Sequence, residues 1–262
     1  MTSAPTLPSD LLDTLAQQLL QARKDKQWLT SSTLPGLTEA DAYAIQQRVS
    51  ARLWEQQGQR TGAWKSGTGS IDVTPTVAPI WPARVFPTGA TLSMADYQLI
   101  GAEAEIAYRL GSDLPLRDSD YSEEELRAAI DAAHVVIETI DSRLQDWQSP
   151  APFWGLADNA VNGAFVIGTE VSDWQALNLP AQAVEVWIND ELKISKTGSH
   201  ALGDPWLLMP WTLNHLIRRQ QGLRKGDIIT TGSWMGSLQV KAGDSVRVNF
   251  PGIGEATMQI SA

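Results

Sequence analysis

The stretch GAEAEIAYRLG, residues 101–111, carries two glutamates two positions apart in a run that is otherwise mostly small and apolar. Such a run predicts a buried β-strand, in which side chains at positions i and i+2 point to the same side of the sheet. The carboxylates of Glu103 and Glu105 would therefore lie roughly 6–7 Å apart on one face. At an effective dielectric constant of about 20 their repulsion costs on the order of 2–3 kcal/mol, so a fold that buries them needs a compensating interaction.

Three features could offset this repulsion: exposure to solvent, basic partners, or a bound divalent cation. Exposure is the simple alternative, since an edge strand with one wet face would carry Glu103 and Glu105 at little cost. A third acid, Glu138, lies in the β-branched run VVIETID, which also predicts a buried strand. Three strand acids without a neighbouring Cys or His make a poor zinc site. They predict a site for a hard cation such as Mg²⁺, Mn²⁺ or Ca²⁺.

The balance of charged residues excludes one class of partner. With 20 basic and 30 acidic residues the formal net charge is −10, whereas nucleic-acid binding needs a basic surface. An anionic substrate would therefore need local positive charge from a lysine, an arginine or a metal ion.

The sequence also limits the compartment. The chain has no cysteine, which excludes disulfides and thiol chemistry. The first 15 residues lack the basic and apolar regions of a secretory signal. No apolar run approaches the roughly 18 residues that a spanning helix needs. We therefore expect a cytoplasmic protein without a membrane partner.

The beginning of the chain carries helix signals. Leucines recur at helical spacing over residues 11–19, after Ser9, which is expected to cap the helix. A second helix is expected to begin at Thr38, where Asp41 completes a capping box, and to end near Gly58. These signals predict a small helical N-terminal segment.

The rest of the chain carries mainly strand and turn signals. Ser122 and Glu125 form a second capping box, and the Asn-Asp pair at 189–190 is typical of a hairpin turn. We therefore predict an α+β fold with a helical segment over residues 1–61 and a strand-rich catalytic domain over residues 62–262. The two parts could equally form one domain.

Six segments in order resemble the fumarylacetoacetate hydrolase superfamily, and within it the branch of hydratases and decarboxylases typified by 2-keto-4-pentenoate hydratase. The resemblance covers nearly the whole chain. It implies the mixed β-roll or β-sandwich core of that superfamily and assembly into a homo-oligomer. The segments are LTEADAYAIQQRV, GAWKSGTGS, GAEAEIAYRLG followed by IETIDSRL, DNAVNGAFVIG, ALGDPWLLMPWTLNHL and GLRKGDIITTGSWMGSLQV.

Carried over residue by residue, the resemblance implies that Glu103, Glu105 and Glu138 bind Mg²⁺ or Mn²⁺. It also implies that Lys65 is the active-site lysine. The segment WKSGTGS is an unusual context for a surface lysine, because a bulky aromatic residue precedes Lys65 and a glycine-rich turn follows it.

Three further residues are candidates for substrate binding. Asp158 lies in LADNAVNG, where it either helps to line the site or forms an ordinary Asx turn. Thr231 and Ser233, in TTGSWMG, could offer hydroxyl or backbone N–H groups to a carboxylate, or could belong to a plain turn at the end of a strand. Two acids are expected to be structural: Asp204 as a helix cap, and Asp141 as an ion-pair partner of an arginine two residues on.

The branch acts on short 2-oxo acids or their dienol tautomers, which chelate a divalent cation. The resemblance implies a hydratase that adds water to a 2-hydroxy-2,4-dienoate through a metal-stabilised enolate. A decarboxylase of a 2-oxo-enedioate is the alternative, because the same enolate serves it. Hydrolysis as in the other branch is not expected. That route uses a histidine ahead of the Glu-x-Glu strand, and this chain has none before His134.

The sequence departs from the hydratase pattern at three places. One is the lysine segment Lys-Ser-Gly-Thr-Gly-Ser, where an apolar residue commonly follows the lysine and a leucine follows the first glycine. No acid occurs between Asp72 and Asp96, where these enzymes usually carry one. Where the family often has a serine after Asp-Asn-Ala, this chain has Val161 followed by Asn162. A non-catalytic partner subunit of such an enzyme is therefore a third hypothesis. The intact glutamates and Lys65 argue against it, because a binding protein has no need of them.

Overall fold

The computed structural model describes residues 4–54 and 58–262. Residues 1–3 and 55–57, which belong to the predicted helical segment, lie outside the described residues. Within the described ranges the α-helices are Ser9–Asp25 (α1), Glu39–Leu53 (α2), Glu123–Ala129 (α3), Trp154–Ala157 (α4) and Met209–Gln220 (α5).

Most of the strands are short. Four have eight residues or more: three lie near the middle of one sheet and the fourth lies at the end of the chain. They are Ala63–Gly67 (β1), Thr76–Pro79 (β2), Val85–Pro87 (β3), Ala90–Ser93 (β4), Ile100–Leu110 (β5), Leu114–Pro115 (β6), Ile130–Ile140 (β7), Asn162–Val171 (β8), Ala183–Ile188 (β9), Glu191–Thr197 (β10), Gly222–Leu223 (β11), Ile228–Thr230 (β12), Leu238–Val240 (β13), Ser245–Phe250 (β14) and Gly254–Ser261 (β15).

Two sheets carry most of these strands. The larger runs in the order β2-β1-β12-β5-β7-β8-β3, and β13 also pairs with β5. The smaller runs in the order β10-β9-β14-β15-β4, and its last pair is parallel. Strand β5 therefore lies in the interior of the larger sheet, with β12 and β13 on one side and β7 on the other.

The helix starts follow local capping chemistry. Both predicted capping boxes are confirmed: Thr38 with Asp41 at α2, and Ser122 with Glu125 at α3. The prediction for α1 is wrong, because Ser9 is its first helical residue and the preceding proline occupies the cap position without a side-chain cap bond. The proline ring presets the backbone angle there, so no hydroxyl cap is used.

Helix α2 ends at Leu53, earlier than the predicted end near Gly58. The next residue, Trp54, leaves the helical conformation, and its buried indole donates a hydrogen bond to the Thr61 hydroxyl at 2.9 Å. The helix therefore ends where the Trp54 ring is buried in the core, and not at the predicted glycine.

The two faces of β5 serve different purposes. The even-numbered residues, such as Ala104 and Ile106, pack into a large apolar cluster that also contains Leu15 of α1 and Ile45 of α2. The helical segment and the strands therefore share one core, and the division at residue 62 stays a prediction. The odd-numbered face of β5, with both glutamates, points to the opposite side.

The predicted hairpin at residues 189–190 is confirmed, since both residues have positive φ between β9 and β10. These angles match the mirror-image turns that join twisted antiparallel strands. None of the helices in residues 4–54 and 58–262 combines the length and the apolar character that a bilayer span requires.

Candidate active site

The larger sheet brings the three predicted metal ligands to one place. Glu103 on β5 is the direct ladder partner of Glu138 on β7, and Glu105 lies two residues along β5 on the same face. One carboxylate oxygen from each of the three residues lies within 4.8 Å of the others.

Solvent exposure does not explain these acids. Glu105 is 1% exposed and Glu138 is 0% exposed, while Glu103 is half-buried. Burial raises the pKa of Glu103 to about 7, although Lys65 acts to lower it. Burial and the two neighbouring acids raise the pKa of Glu105 well above its usual range. The cluster is therefore short of positive charge.

Lys65 supplies part of that charge. In the ladder it pairs with Thr230, which pairs in turn with Ala107 two residues beyond Glu105, so all of them face the same side. The Nζ atom of Lys65 lies 2.5 Å from Oε1 of Glu138. Burial acts to lower the pKa of Lys65, but the three glutamates together raise it to about 12, so the ammonium stays charged at neutral pH.

Each of the two buried glutamates has one oxygen held by two donors. Oε2 of Glu105 accepts hydrogen bonds from the Thr230 hydroxyl and from the backbone N–H of Gly232, the latter at 3.1 Å. The sequence reasoning missed both donors. Side chains alternate between the two faces along the strand IITTG. Once one neighbour of Thr230 was known to face the core, this alternation would have placed Thr230 on the face of the glutamates.

Glu138 is also held through one oxygen by two donors, and its second oxygen lacks a donor among the described residues. Its Oε1 accepts from Lys65 and from the Asn162 amide, the latter at 3.0 Å. Its Oε2 is buried and has no hydrogen-bond partner among the described residues. A buried carboxylate oxygen without a partner is costly. Such an oxygen beside two further carboxylates fits an inner ligand of a hard divalent cation.

The floor beside the glutamates is apolar. It consists of a cluster of buried residues that includes Val136 and Phe165, the ladder partners of Glu105 and Glu138, and it would keep water away from one side of the site. These residues are Ala63, Ile80, Ala107, Val136, Phe165 and Ile228.

The structure does not bring Asp158 together with the glutamates. Asp158 is 3% exposed, and its Oδ1 accepts from Nε of Arg143 at 2.5 Å. Its Oδ2 accepts from the Ser142 hydroxyl and from the backbone N–H of Arg143, both at 2.8 Å. Both oxygens are thus engaged by the protein, and a contact with substrate stays a prediction.

Thr231 and Ser233 lie next to the site but use their hydroxyls locally. The Thr231 hydroxyl donates to the carbonyl of Ile106 at 2.7 Å. The Ser233 hydroxyl donates to the carbonyl of Gly236 at 2.9 Å. This is the arrangement of the strand-end turn that the sequence left open as the alternative.

Both structural roles predicted for other acids are confirmed. Asp204 accepts from the backbone N–H of Trp206 at the start of the turn that leads into α5. Asp141 and Arg143 form a buried ion pair with N···O of 3.0 Å. The same arginine holds Asp158, so the two acids share one cation.

Comparisons with known proteins agree with this site and fold. Residues 71–261 match the family model described as fumarylacetoacetate (FAA) hydrolase C-terminal. The chain is 30% identical over 226 residues to 2-keto-4-pentenoate hydratase 1 of Dechloromonas aromatica, covering 82% of this chain and 83% of that one. It is 30% identical over 261 residues to 2-hydroxyhexa-2,4-dienoate hydratase of Comamonas testosteroni, with 95% and 97% covered.

Solved structures give the same result. The chain resembles 4-oxalocrotonate decarboxylase from Pseudomonas putida G7, complexed with magnesium and adipate, with a TM-score of 0.85 and 25% identity over 97% of this chain and 99% of that one. Fumarylpyruvate hydrolase from Pseudomonas aeruginosa, in complex with Mn²⁺ and pyruvate, shares the fold with a TM-score of 0.59 and 16% identity over 77% and 89%. The fold predicted from the resemblance is confirmed. The chain belongs to the fumarylacetoacetate hydrolase family.

Proposed function

We propose that this protein is a divalent-metal-dependent hydratase that adds water to a 2-hydroxy-2,4-dienoate and forms a 4-hydroxy-2-oxo acid. The observation that carries the proposal is the convergence of Glu103, Glu105 and Glu138 on one buried face, with the charged Lys65 against one of them. The relatives named as hydratases, at 30% identity over 82–95% of the chain, support the reaction class.

Glu103, Glu105 and Glu138 would hold the cation, and their hard oxygen set favours Mg²⁺ or Mn²⁺. The solved relatives complexed with magnesium and with Mn²⁺ support this choice. The unpartnered Oε2 of Glu138 fits such a ligand. When bound, the cation would supply Lewis acidity toward the negative charge that develops at the 2-oxygen of the substrate.

The residues of the chain would bind and orient the substrate. The Lys65 ammonium, charged at neutral pH, would donate hydrogen bonds to the substrate carboxylate or to its 2-oxygen. A carboxylate at the 231–233 turn would meet the backbone N–H of Ser233, because the hydroxyls of Thr231 and Ser233 are engaged elsewhere. Asp158 would act on the substrate only through a rearrangement of its ion pair with Arg143.

The proposed reaction balances as one tautomerisation and one addition of water. In the tautomerisation the dienol hydroxyl gives its proton to a base and C5 takes up a proton, which leaves an α,β-unsaturated ketone. Water then bonds through its oxygen to C4 and gives one proton to a base, while C3 takes up a proton. The apolar floor beside the glutamates would exclude competing water from the rest of the site.

Decarboxylation of a 2-oxo-enedioate is the second candidate, and one observation favours it. The resemblance to 4-oxalocrotonate decarboxylase from Pseudomonas putida G7 extends over 97% of this chain with a TM-score of 0.85. Loss of carbon dioxide from such a substrate leaves the same kind of enolate, so the same residues could serve. The product separates the two reactions, because only decarboxylation releases carbon dioxide.

The third hypothesis, a partner subunit without catalysis, predicts that the cation site has no function. A buried acid cluster is destabilising without a bound cation, so a purely structural subunit would gain nothing from it. The homo-oligomer and the cytoplasmic location stay predictions.

The test is the ultraviolet absorbance decay of 2-hydroxypenta-2,4-dienoate with the purified protein in Mg²⁺ or Mn²⁺, repeated with excess EDTA. We expect fast decay that EDTA abolishes, and no metal-dependent decay with Glu105→Gln. If the dienoate is stable under all conditions while a 2-oxo-enedioate loses carbon dioxide, the hydratase assignment is wrong and the decarboxylase assignment stands. Inertness toward both substrates would leave the partner subunit.

A further inference from the structure

Asn162 has no role in the chemistry described so far, yet its side chain lies directly on the acid cluster. It is 2% exposed, and its Nδ2 donates to Oε1 of Glu138 at 3.0 Å. Within the described residues the Asn162 side chain makes no second hydrogen bond. A buried amide that bonds a single partner, itself a candidate metal ligand, points to a function in holding that ligand.

We propose that Asn162 is a positioning residue for the cation site, acting through Glu138. Its amide would hold Oε1 of Glu138 in place and leave Oε2 directed toward the other two glutamates. This inference rests on the cation site of the proposed function and names a residue that sets the geometry of that site.

The two donors to this oxygen differ in rigidity. A carboxylate held only by a flexible donor can still rotate about its last bond, which is broad and soft. Lys65 is one anchor of Glu138, but it sits at the end of a flexible four-carbon stem. Asn162 has a short side chain with few rotatable bonds. Its amide is also neutral, so it holds the carboxylate without repelling an incoming cation.

The backbone under Asn162 is itself held firmly. Asn162 is the first residue of β8 and pairs with Ile140 of β7, whereas Glu138 pairs with Phe165, so the register shifts by one residue between the two pairs. Such a β-bulge redirects a side chain, and here the Asn162 amide meets the Glu138 carboxylate. Donors that orient the ligands of a metal centre are typically worth 10- to 100-fold in metal affinity.

The turn that leads into β8 supports the same conclusion. Its three residues, 159–161, have φ of 57°, 48° and 54°, a conformation that is unusual for a β-branched residue such as Val161. Several contacts hold this turn. Arg143 binds both the side chain and the carbonyl of Asp158, the Asn159 amide donates to the carbonyl of Pro79 at 2.8 Å, and the carbonyl of Val161 accepts from the backbone N–H of Asp141 at 2.9 Å. These contacts hold the strained turn in place, and the turn positions Asn162 beside Glu138.

The test is the affinity of metal-stripped full-length protein for Mn²⁺, measured by the electron paramagnetic resonance signal of free Mn²⁺. We expect Asn162→Ala to raise the Kd about 10- to 100-fold. Asn162→Thr also removes the amide but suits a strand, so it should raise the Kd similarly with less loss of thermal stability. The assay needs no substrate, so it is independent of turnover.

Asn214→Ala provides the matched control. Asn214 is a buried amide on α5, and within the part of the chain that the structure describes its side-chain hydrogen bonds go to the backbone of Tyr121 and Pro210. We expect its loss to lower stability but to leave the Kd for Mn²⁺ within threefold.

The outcomes separate the inference from the function on which it rests. If wild-type protein binds Mn²⁺ and both Asn162 variants bind it within threefold as tightly, Asn162 does not position Glu138. If Asn214→Ala weakens binding as much as Asn162→Ala, the effect is general destabilisation and the inference is equally wrong. If wild-type protein does not bind Mn²⁺ at all, the cation site and the inference both fail.

Discussion

Glu103 and Glu138 lie directly opposite each other in the antiparallel ladder between β5 and β7, although both are acids. Like charges at directly opposed ladder positions destabilise a sheet. The position of β5 inside the sheet and the burial of Glu105 beside them increase that cost. The proposed cation site would therefore trade stability of the metal-free protein for affinity toward a cation, as functional sites often do.

Glu105→Gln should separate stability from function. The uncharged amide removes one buried acid, so we expect the melting temperature in EDTA to rise by about 2–4 °C, the shift that about 1 kcal/mol produces in a domain of this size. Mn²⁺ binding and metal-dependent turnover should be lost. Glu124→Gln, an exposed change on α3, is the control and should alter neither quantity. A lower melting temperature for Glu105→Gln in EDTA would show that the acid stabilises the fold.

Lys65→Met should reduce turnover without weakening the cation site. Removing a group that stabilises developing charge costs typically about 10²–10³-fold in kcat. The Kd for Mn²⁺ should stay the same or tighten, because a positive charge 2.5 Å from Glu138 is gone while Asn162 still holds the same oxygen. Calorimetric titration of the metal-free variant measures the Kd. A large loss of affinity would instead make Lys65 mainly an anchor of Glu138.

Asp158→Asn tests whether this acid is structural or binds substrate. Its pair with Arg143 is buried, and breaking one partner of such a pair costs typically about 3–5 kcal/mol. We therefore expect the melting temperature to fall by roughly 6–20 °C. If the variant keeps its melting temperature but its KM rises tenfold or more, Asp158 contacts the substrate as the sequence predicts.

Asp41→Asn should show a stability effect that depends on pH. Burial alone would raise the pKa of Asp41, but hydrogen bonds from Leu7, Thr38 and Thr6 hold it well below its usual range. A carboxyl whose pKa is lower in the folded state stabilises the fold above its unfolded pKa, and that contribution is lost as the pH falls below it. We expect the variant to melt about 2–8 °C lower at pH 7.

The difference in melting temperature between Asp41→Asn and wild type should stay constant from pH 5 to pH 8. It should narrow below about pH 4, where the Asp41 carboxyl of the unfolded chain takes up a proton while that of the folded protein stays ionised. Melting followed by circular dichroism across this range gives the comparison. A difference that grows toward acid pH would contradict the assignment.

The local parts of the structure were predictable because they depend on neighbours in sequence. The capping boxes at Thr38 and Ser122 need a hydroxyl and an acid three residues apart, and both formed as expected. The hairpin at 189–190 follows from two residues that tolerate positive φ. The start of α1 failed for the same kind of reason, since a proline before Ser9 was a competing local signal.

The acids of the site were predictable for a different reason. A charged residue in an otherwise apolar strand is expensive, so Glu103, Glu105 and Glu138 stood out without any knowledge of their partners. The number of ways to offset their charge was small, and a hard cation was the one proposal that accounted for all three acids. That reasoning needs only the strand period and the cost of burial.

The donors to these acids could not be read from the sequence. Thr230 lies 125 residues from Glu105 in the chain, and Asn162 lies 24 residues from Glu138. The pairing of β12 with β5 decides that Thr230, and not its neighbour Thr231, faces the site. The pairing of β8 with β7 brings Asn162 to Glu138. A shift of one residue in either register would exchange the two faces.

The sequence by itself indicated that three carboxylates in apolar strands need compensation, and it predicted a hard cation for that role, because the cost of burying a charge follows from residue type and strand period. The tertiary structure decided which oxygens are held and which are left available. It also paired Asp158 with Arg143 and not with the glutamate cluster. The physical reason is that hydrogen bonds act over about 3 Å, a precision that only the packed sheet can supply between residues far apart in the chain.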